Sequence, residues 1–153
     1  MELDEYVVPP FWRLHGSHEV VALPSPAAGA ALTYTVPGAV QQTPLSIVFT
    51  YTASGNAANR FPSVAFLDWS GNPFFEAQSP FKLIATNVAV VSFAVDIAQF
   101  GADSAAALGS PIPALRLGDG LRVQLSATGI DVADTITLAR MFVDQFDVRP
   151  DLD

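Results

Sequence analysis

The chain has 153 residues, a length typical of one domain, and contains no cysteine, which excludes disulfides and thiolate metal sites. Seven basic residues against fifteen acidic ones give a net charge of −8. This balance argues against a surface that binds a phosphate backbone, so nucleic acid is not expected as a partner. Only 14% of the residues are charged while 50% are hydrophobic, which indicates that part of the surface is buried against partner chains.

Residues 1–18 are predicted to form an extended N-terminal arm that precedes a single β domain over residues 19–153. Acidic side chains are followed there by an apolar run, in which two prolines prevent regular strand pairing. The arm packs either on its own domain or on a neighbouring subunit. Its candidate interface residues are Tyr6, Val7, Val8, Phe11 and Trp12. With no basic secretory signal and no apolar run of about 18 residues, neither export by such a signal nor a membrane span is expected.

Alternating apolar and polar residues, separated by regular turn signals, predict short strands up to residue 97. The predicted strands cover residues 19–23, 30–36, 45–52, 63–69, 73–77 and 88–97, and residues 82–85 continue or re-enter the sheet. Turn-forming residues from Asp68 to Asn72 predict a hairpin tip. Residues 98–114 do not alternate and are predicted to be a surface loop with one or two helical turns.

Residues 115–148 are predicted to form a β-hairpin, because two apolar-alternating runs follow strong turn signals. In the second run both parities are apolar, which is typical of a strand covered on both sides. Met141 and Val143 are therefore candidates for contact with a second sheet layer or with another subunit. The number of strands and the absence of a long helix predict an all-β fold. We expect an antiparallel β-sandwich, jelly-roll-like, with roughly seven to eight strands.

No group of residues forms a recognisable catalytic or cofactor motif, so the chain is predicted not to be an enzyme and to hold neither a cofactor nor a metal. His15 and His18 lack a third ligand at a metal-binding spacing. Asp131 and Asp134 lie in a sequence without the ligand spacing of a calcium loop, and aspartate is a common turn residue.

Trp69 is the candidate with the clearest functional alternative. An exposed aromatic ring at a hairpin tip, beside Asp68 and Asn72, can stack on a sugar or contact a neighbouring subunit. Arg60, just before a predicted strand, either ties its loop to a carboxylate or lies in a subunit interface. Because its ring is expected to be exposed, Trp69 is a candidate interface residue.

Three stretches of the sequence have patterns that can be compared with a known class of proteins. Residues 59–72 contain asparagine, arginine, an aromatic residue and proline before a strand and a D-x-x-G-N turn. Residues 112–123 match a P-x-L-x-L-x-x-G entry into a strand, and residues 128–136 match a G-I-x-x-x-D-T-I turn. Together these stretches resemble small structural proteins of tailed bacteriophages, and the resemblance implies a β-sandwich built into or onto the head, neck or tail of a virion.

The leading hypothesis is a non-enzymatic virion structural protein, specifically a capsid decoration or cement protein that bridges capsid subunits. Its partners would be capsid or other virion proteins, with a symmetric homo-oligomer such as a trimer, and neither nucleic acid nor membrane. The protein would be located in the virion after assembly in the host cytoplasm. The alternatives are a neck or tail component and a carbohydrate- or receptor-binding module that uses Trp69.

Overall fold

The computed structural model describes residues 16–148, and within that range it contains nine strands and no helix. In chain order the strands are β1 (Ser17–Ala22), β2 (Leu32–Thr35), β3 (Val40–Thr52), β4 (Phe61–Leu67), β5 (Pro73–Gln78), β6 (Val88–Ala94), β7 (Ala107–Pro111), β8 (Arg122–Thr128) and β9 (Thr135–Asp147). A five-stranded sheet has the order β1-β9-β3-β6-β7, and a four-stranded sheet has the order β2-β8-β4-β5. The predicted all-β sandwich is confirmed, with nine strands instead of seven or eight.

The strand pairs are nested along the chain. The innermost pair is β4 with β5, followed by β3 with β6, β2 with β8, and β1 with β9 outermost, all antiparallel. Successive pairs alternate between the two sheets. Among the nine strands, every connection except β4–β5 and β6–β7 therefore crosses from one sheet to the other, and both sheets enclose one core.

The core lies between the facing sides of the two sheets. Strand alternation places every second side chain on this inner side, where burial of apolar surface stabilises the fold. The five-stranded sheet contributes Ile47, Phe49, Tyr51, Val91, Phe93, Met141 and Val143, and the four-stranded sheet contributes Leu32, Val64, Phe66, Val123 and Leu125; all are at most 3% exposed.

Two β-bulges change which residues point inward. In β9 the register with β3 shifts between Thr137 and Arg140, and in β3 it shifts between Pro44 and Ser46. Leu138 lies in the β9 bulge with a φ of 54°, a left-handed conformation that bulky residues rarely adopt, and its side chain is 70% exposed. The inward positions of β9 therefore change from even numbers before the bulge to odd numbers after it, which explains why both parities of this strand are apolar.

The hairpin predicted over residues 115–148 is wrong. Its first run forms β8 in the four-stranded sheet and its second run forms β9 in the five-stranded sheet, so the two strands do not pair. The alternation was sufficient to identify both strands. Their partners were misassigned because residues 129–134 carry the chain across the sandwich instead of reversing it within one sheet.

The prediction of a loop without strands over residues 98–114 is also wrong. Residues Ala107–Pro111 form β7, which pairs in parallel with β6 at the edge of the five-stranded sheet. The side chain of Phe100 lies over Gly109, where an added Cβ would collide with the Phe100 ring. This strand lacks the β-branched alternation of the others, and its small residues instead allow close packing.

Part of the predicted N-terminal arm lies outside the described residues. This part includes the candidate interface residues Tyr6, Val7, Val8, Phe11 and Trp12. Ser17 and His18, the last two residues assigned to the arm, belong to β1 and pair with Gln145 and Asp144 of β9. The arm remains a prediction for residues 1–15.

The core position of Met141 gives a direct test of the sandwich. Met141→Asp is expected to prevent folding, because it buries an unpaired carboxylate between the sheets. Met141→Ala is expected to lower the free energy of unfolding by about 2–5 kcal/mol. The neighbouring Arg140 is exposed on the opposite side of β9, so Arg140→Asp is the control and is expected to keep the fold. Circular dichroism and urea denaturation measure these effects, and a folded Met141→Asp protein would contradict the inward orientation of β9.

Candidate functional site

The outer side of the five-stranded sheet exposes several large apolar side chains. We call this side the apolar face and define it by Val20, Val48, Val88, Val90, Leu138 and Phe142. Val20 and Leu138 are 69% and 70% exposed, and Val88, Val90 and Phe142 are 53%, 45% and 37% exposed. The residues come from β1, β9, β3 and β6, which are neighbours in the sheet. The exposed apolar side chains therefore share one surface.

The outer side of the four-stranded sheet is different in character. Its outward positions are mainly hydroxyl, amide and charged side chains, namely Thr33, Thr35, Ser63, Glu76, Gln78, Arg122, Gln124 and Ser126. Phe74 of β5, which is 49% exposed, is the large apolar exception on this sheet. Both outer sides would be polar if both faced water. The contrast indicates that the apolar face is the side suited to contact with another protein.

Few charged side chains interrupt the apolar face. Arg140 is exposed on it. Asp144, two outward positions further along β9, is partly buried. His18 pairs with Asp144 in the strand register, and its ring contacts the edge of Phe142 at a centroid distance of 5.2 Å. Val20, Ser46, Val48, Arg140 and Phe142 line a shallow open depression on this surface.

A buried ion pair lies at one end of the sandwich. The Arg60 Nε donates to Asp134 Oδ2 over 3.0 Å, and the Arg60 Nη2 donates to Asp134 Oδ1 over 3.1 Å. The Tyr51 hydroxyl also donates to Asp134 Oδ2, over 2.5 Å. Arg60, Asp134 and Tyr51 are each at most 1% exposed. Bidentate pairing of this kind compensates part of the cost of removing both charges from water.

A second layer of polar contacts surrounds this ion pair. The Ser54 hydroxyl donates to Asp131 Oδ1 over 3.0 Å and accepts from Arg60 Nη2 over 3.1 Å. The Asn56 side-chain amide donates to Asp131 Oδ1 over 2.9 Å, and the Ser54 backbone N–H donates to Asp134 Oδ1 over 2.8 Å. We call these six residues, Tyr51, Ser54, Asn56, Arg60, Asp131 and Asp134, the Arg60 network.

The hydrogen bonds of the Arg60 network set its protonation. Burial alone would raise the pKa of Asp134, but bonds from Arg60, from the backbone N–H groups of Asp131 and Ser54 and from Tyr51 outweigh it and hold that pKa well below its usual range. Burial and the neighbouring Asp134 raise the pKa of Tyr51 well above its ordinary value. Asn56, then the backbone N–H of Ala133, lower the pKa of Asp131. Tyr51 stays a neutral donor and both aspartates stay charged at neutral pH.

The structure resolves several alternatives left open by the sequence. Arg60 ties its loop to a carboxylate, the first of its two predicted roles. Asp134 is a buried partner of Arg60 instead of a simple turn residue, and sequence spacing could not reveal this because 74 positions separate the two residues. The signal available in the sequence was a lone arginine between a polar loop and a strand.

Met141 and Val143 are fully buried in the core, so their side chains contact the opposite sheet and do not lie on an exposed face. Trp69 is 69% exposed at the tip between β4 and β5. Within residues 16–148, no three histidine, aspartate or glutamate side chains come together as a metal site. The described part of the chain also forms no helix long and apolar enough to cross a membrane.

Removal of one partner tests the Arg60 network. Asp134→Ala is expected to lower the free energy of unfolding by about 3–5 kcal/mol, because it leaves the Arg60 guanidinium buried and unpaired. Asp131→Ala is the control and is expected to cost less, because that carboxylate is partly exposed. Urea denaturation at neutral pH measures both. An equal decrease in the free energy of unfolding for both variants would contradict a larger stabilising contribution from the buried pair.

The same carboxylate predicts a pH dependence. Because folding lowers the pKa of Asp134 from 3.8, its contribution to stability is complete above that value and is lost as the pH falls through the lower folded-state pKa. The free energy of unfolding is therefore expected to fall between about pH 4 and about pH 2 more steeply for the unaltered protein than for Asp134→Asn. Parallel curves from denaturation at each pH would contradict this assignment.

No protein-family model and no curated protein matches the sequence of this chain. Among solved structures, the fold is similar to a chain of the T13 IBDV viral particle, with a TM-score of 0.45 and 6% sequence identity. The similarity covers 87% of this chain and 31% of that chain, so this protein spans under a third of the length of its structural neighbour.

Proposed function

We propose that the chain is a non-enzymatic structural protein of a virion, specifically a capsid decoration or cement protein. The observation that carries the proposal is the apolar face, which would be buried against a neighbouring subunit. The low charged fraction of the whole sequence supports the same interpretation, because a subunit that contacts others on several sides needs less charged surface.

The occupant that we propose for the apolar face is a second copy of this chain. The charged groups of this face have opposite signs, with the exposed Arg140 and the partly buried Asp144 on the same side of β9. Two copies with antiparallel β9 strands would place Arg140 of each copy near Asp144 of the other, between matching apolar rows. A homo-oligomer would in this way bury apolar surface while pairing opposite charges.

The nested strand pairs support assignment of the sandwich as a jelly roll. In that arrangement a long antiparallel ribbon folds over so that successive pairs alternate between two sheets. The four pairs from β4–β5 to β1–β9 follow this order, with β7 added at the edge of the five-stranded sheet. A jelly roll is a common architecture of capsid domains, which agrees with a virion role.

The buried charged groups of the described residues have a structural role. Within residues 16–148 the buried charged groups are Arg60 and Asp134, and they bond each other. Neither is available to act on a substrate. The resemblance of three stretches to structural proteins of tailed bacteriophages supports a location in the virion, with capsid proteins as further partners.

Purified particles from the source of the sequence provide the test of location. Mass spectrometry is expected to detect the chain as a repeated component, and antibody-gold labelling is expected to mark the outside of the head. Purified protein is also expected to bind expanded capsids that lack it. Labelling of the neck or tail would replace the decoration role with a connector or tail role, and absence from the particles would overturn a virion function.

Variants of the apolar face test the proposed homo-oligomer. Leu138→Asn removes an exposed apolar side chain and introduces a residue that tolerates positive φ better than leucine, and Val20→Lys places a charge at the edge of the same face. Each is expected to weaken association about tenfold or more without loss of folding. Light scattering during size-exclusion chromatography measures the molar mass of the oligomer, and urea denaturation checks that each variant is folded.

Thr33→Lys is the matched control, because Thr33 is exposed on the polar outer side of the four-stranded sheet. It is expected to leave the oligomer intact. An unaltered protein that is monomeric at high concentration would rule out a second copy as the occupant of the apolar face.

A further inference from the structure

Trp69 is presented as a flat exposed platform at the tip between β4 and β5. Its indole Nε1–H donates to the carbonyl oxygen of Asp119 over 2.8 Å. Its five-membered ring lies against Gly120, where an added Cβ would stand 2.7 Å from Cδ1 and 3.0 Å from Nε1. The indole N–H is therefore already hydrogen-bonded within the protein, while the side chain as a whole is 69% exposed. What remains for a ligand is aromatic surface without an unpaired polar atom.

The backbone beneath this ring is held in one conformation. Asp68 Oδ1 accepts hydrogen bonds from the backbone N–H groups of Ser70 and Asn72, each over 2.9 Å. The Asp68 N–H donates to the Asn72 carbonyl over 2.8 Å, and Arg122 Nη2 donates to the Trp69 carbonyl over 3.3 Å. A ring fixed before binding loses little conformational entropy when a ligand stacks on it.

The surroundings of the ring are rich in hydrogen-bonding groups. Ser70, Asn72 and Asp119 are exposed, and Arg122 is partly exposed beside the turn. Together they offer a hydroxyl, an amide, a carboxylate and a guanidinium, which include both donors and acceptors. An apolar ring with this polar border matches a pyranose sugar, whose C–H face is apolar and whose periphery carries hydroxyl groups.

We propose that the Trp69 tip, residues 68–72 together with Asp119, Gly120 and Arg122, binds a neutral carbohydrate by stacking of a pyranose ring on the indole. A protein partner is less well matched, because the cores of protein interfaces are depleted in charged residues, whereas Asp119 and Arg122 border this ring. The tip belongs to the four-stranded sheet, whereas the apolar face belongs to the five-stranded sheet. Sugar binding is therefore independent of the proposed self-association and stands or falls separately from it.

Nitrogen-15 NMR of the full chain tests the proposal. The probes are glucose, galactose, mannose and N-acetylglucosamine with their linear oligosaccharides, each titrated to about 10 mM so that weak, millimolar binding is detected. The indole resonance of Trp69 is identified by its loss in Trp69→Phe. At least one sugar is expected to shift this resonance in a saturable way, with the indole N–H still protected from exchange by its bond to Asp119.

Variants separate stacking from a change of fold. Trp69→Ala is expected to weaken the association about tenfold or more, and Trp69→Phe to retain part of it, because a smaller ring still stacks. Gly120→Ala is expected to weaken binding with Trp69 still present, since its Cβ displaces the indole from its seat. Val132→Ser, at an 80% exposed position in the β8–β9 connection, is the control and is expected to bind normally. Thermal melting verifies that each variant is folded.

Saturable binding that follows this order of variants would support the proposal. Absence of saturable binding to every probe would overturn it, and so would binding that persists unchanged in a folded Trp69→Ala protein. Loss of binding to a capsid protein in Trp69→Ala, without binding to any sugar, would assign the tip to a protein partner and would also overturn it.

Discussion

The hydrogen-bonded pair of Arg60 and Asp134 is the constraint on which the rest of the sandwich depends. Arg60 directly precedes β4 of one sheet, and Asp134 directly precedes β9 of the other. The backbone of Arg60 also bonds that of Leu83 in the β5–β6 connection, and the Asp134 carbonyl accepts from the N–H of Gly29 in the β1–β2 connection. Four connections that cross between the sheets are therefore joined at one point. Desolvation offsets much of the attraction between buried charges, but removal of either partner would leave the other charge uncompensated at this meeting point.

Strand identity could be predicted from the sequence to a larger extent than strand partnership. The alternation of β3, β6 and β8 follows from side-chain periodicity, and turn residues identify the β4–β5 hairpin. Pairing depends on contacts between distant residues, so local patterns could not separate a reversal within a sheet from a crossing between sheets. The bulge at Leu138 is equally hidden, since nothing in the residue type announces a positive φ. The parallel strand β7 was missed because its small residues carry no alternation.

The candidate surfaces differ in how far the sequence could reveal them. Trp69 was predicted as an exposed tip because turn residues surround it, although its seat on Gly120 required the fold. The apolar face could not be predicted, because Val20 and Val90 have the same residue type as core valines and only the sheet assignment shows that they point outward. For Met141 and Val143 the sequence allowed either a core position or a subunit interface, and the bulge in β9 places both in the core.

The contact of Phe100 with Gly109 limits how a strand of another copy can pair with β7. The Phe100 N–H donates to the Gly109 carbonyl over 3.0 Å, and the Gly109 N–H donates to the Phe100 carbonyl over 2.9 Å. The outer edge of β7 is therefore already hydrogen-bonded at Gly109 by the same chain, and the Phe100 ring lies over that glycine. An incoming strand cannot pair with Gly109, so the β7 edge of the five-stranded sheet is protected at this point against extension by another chain.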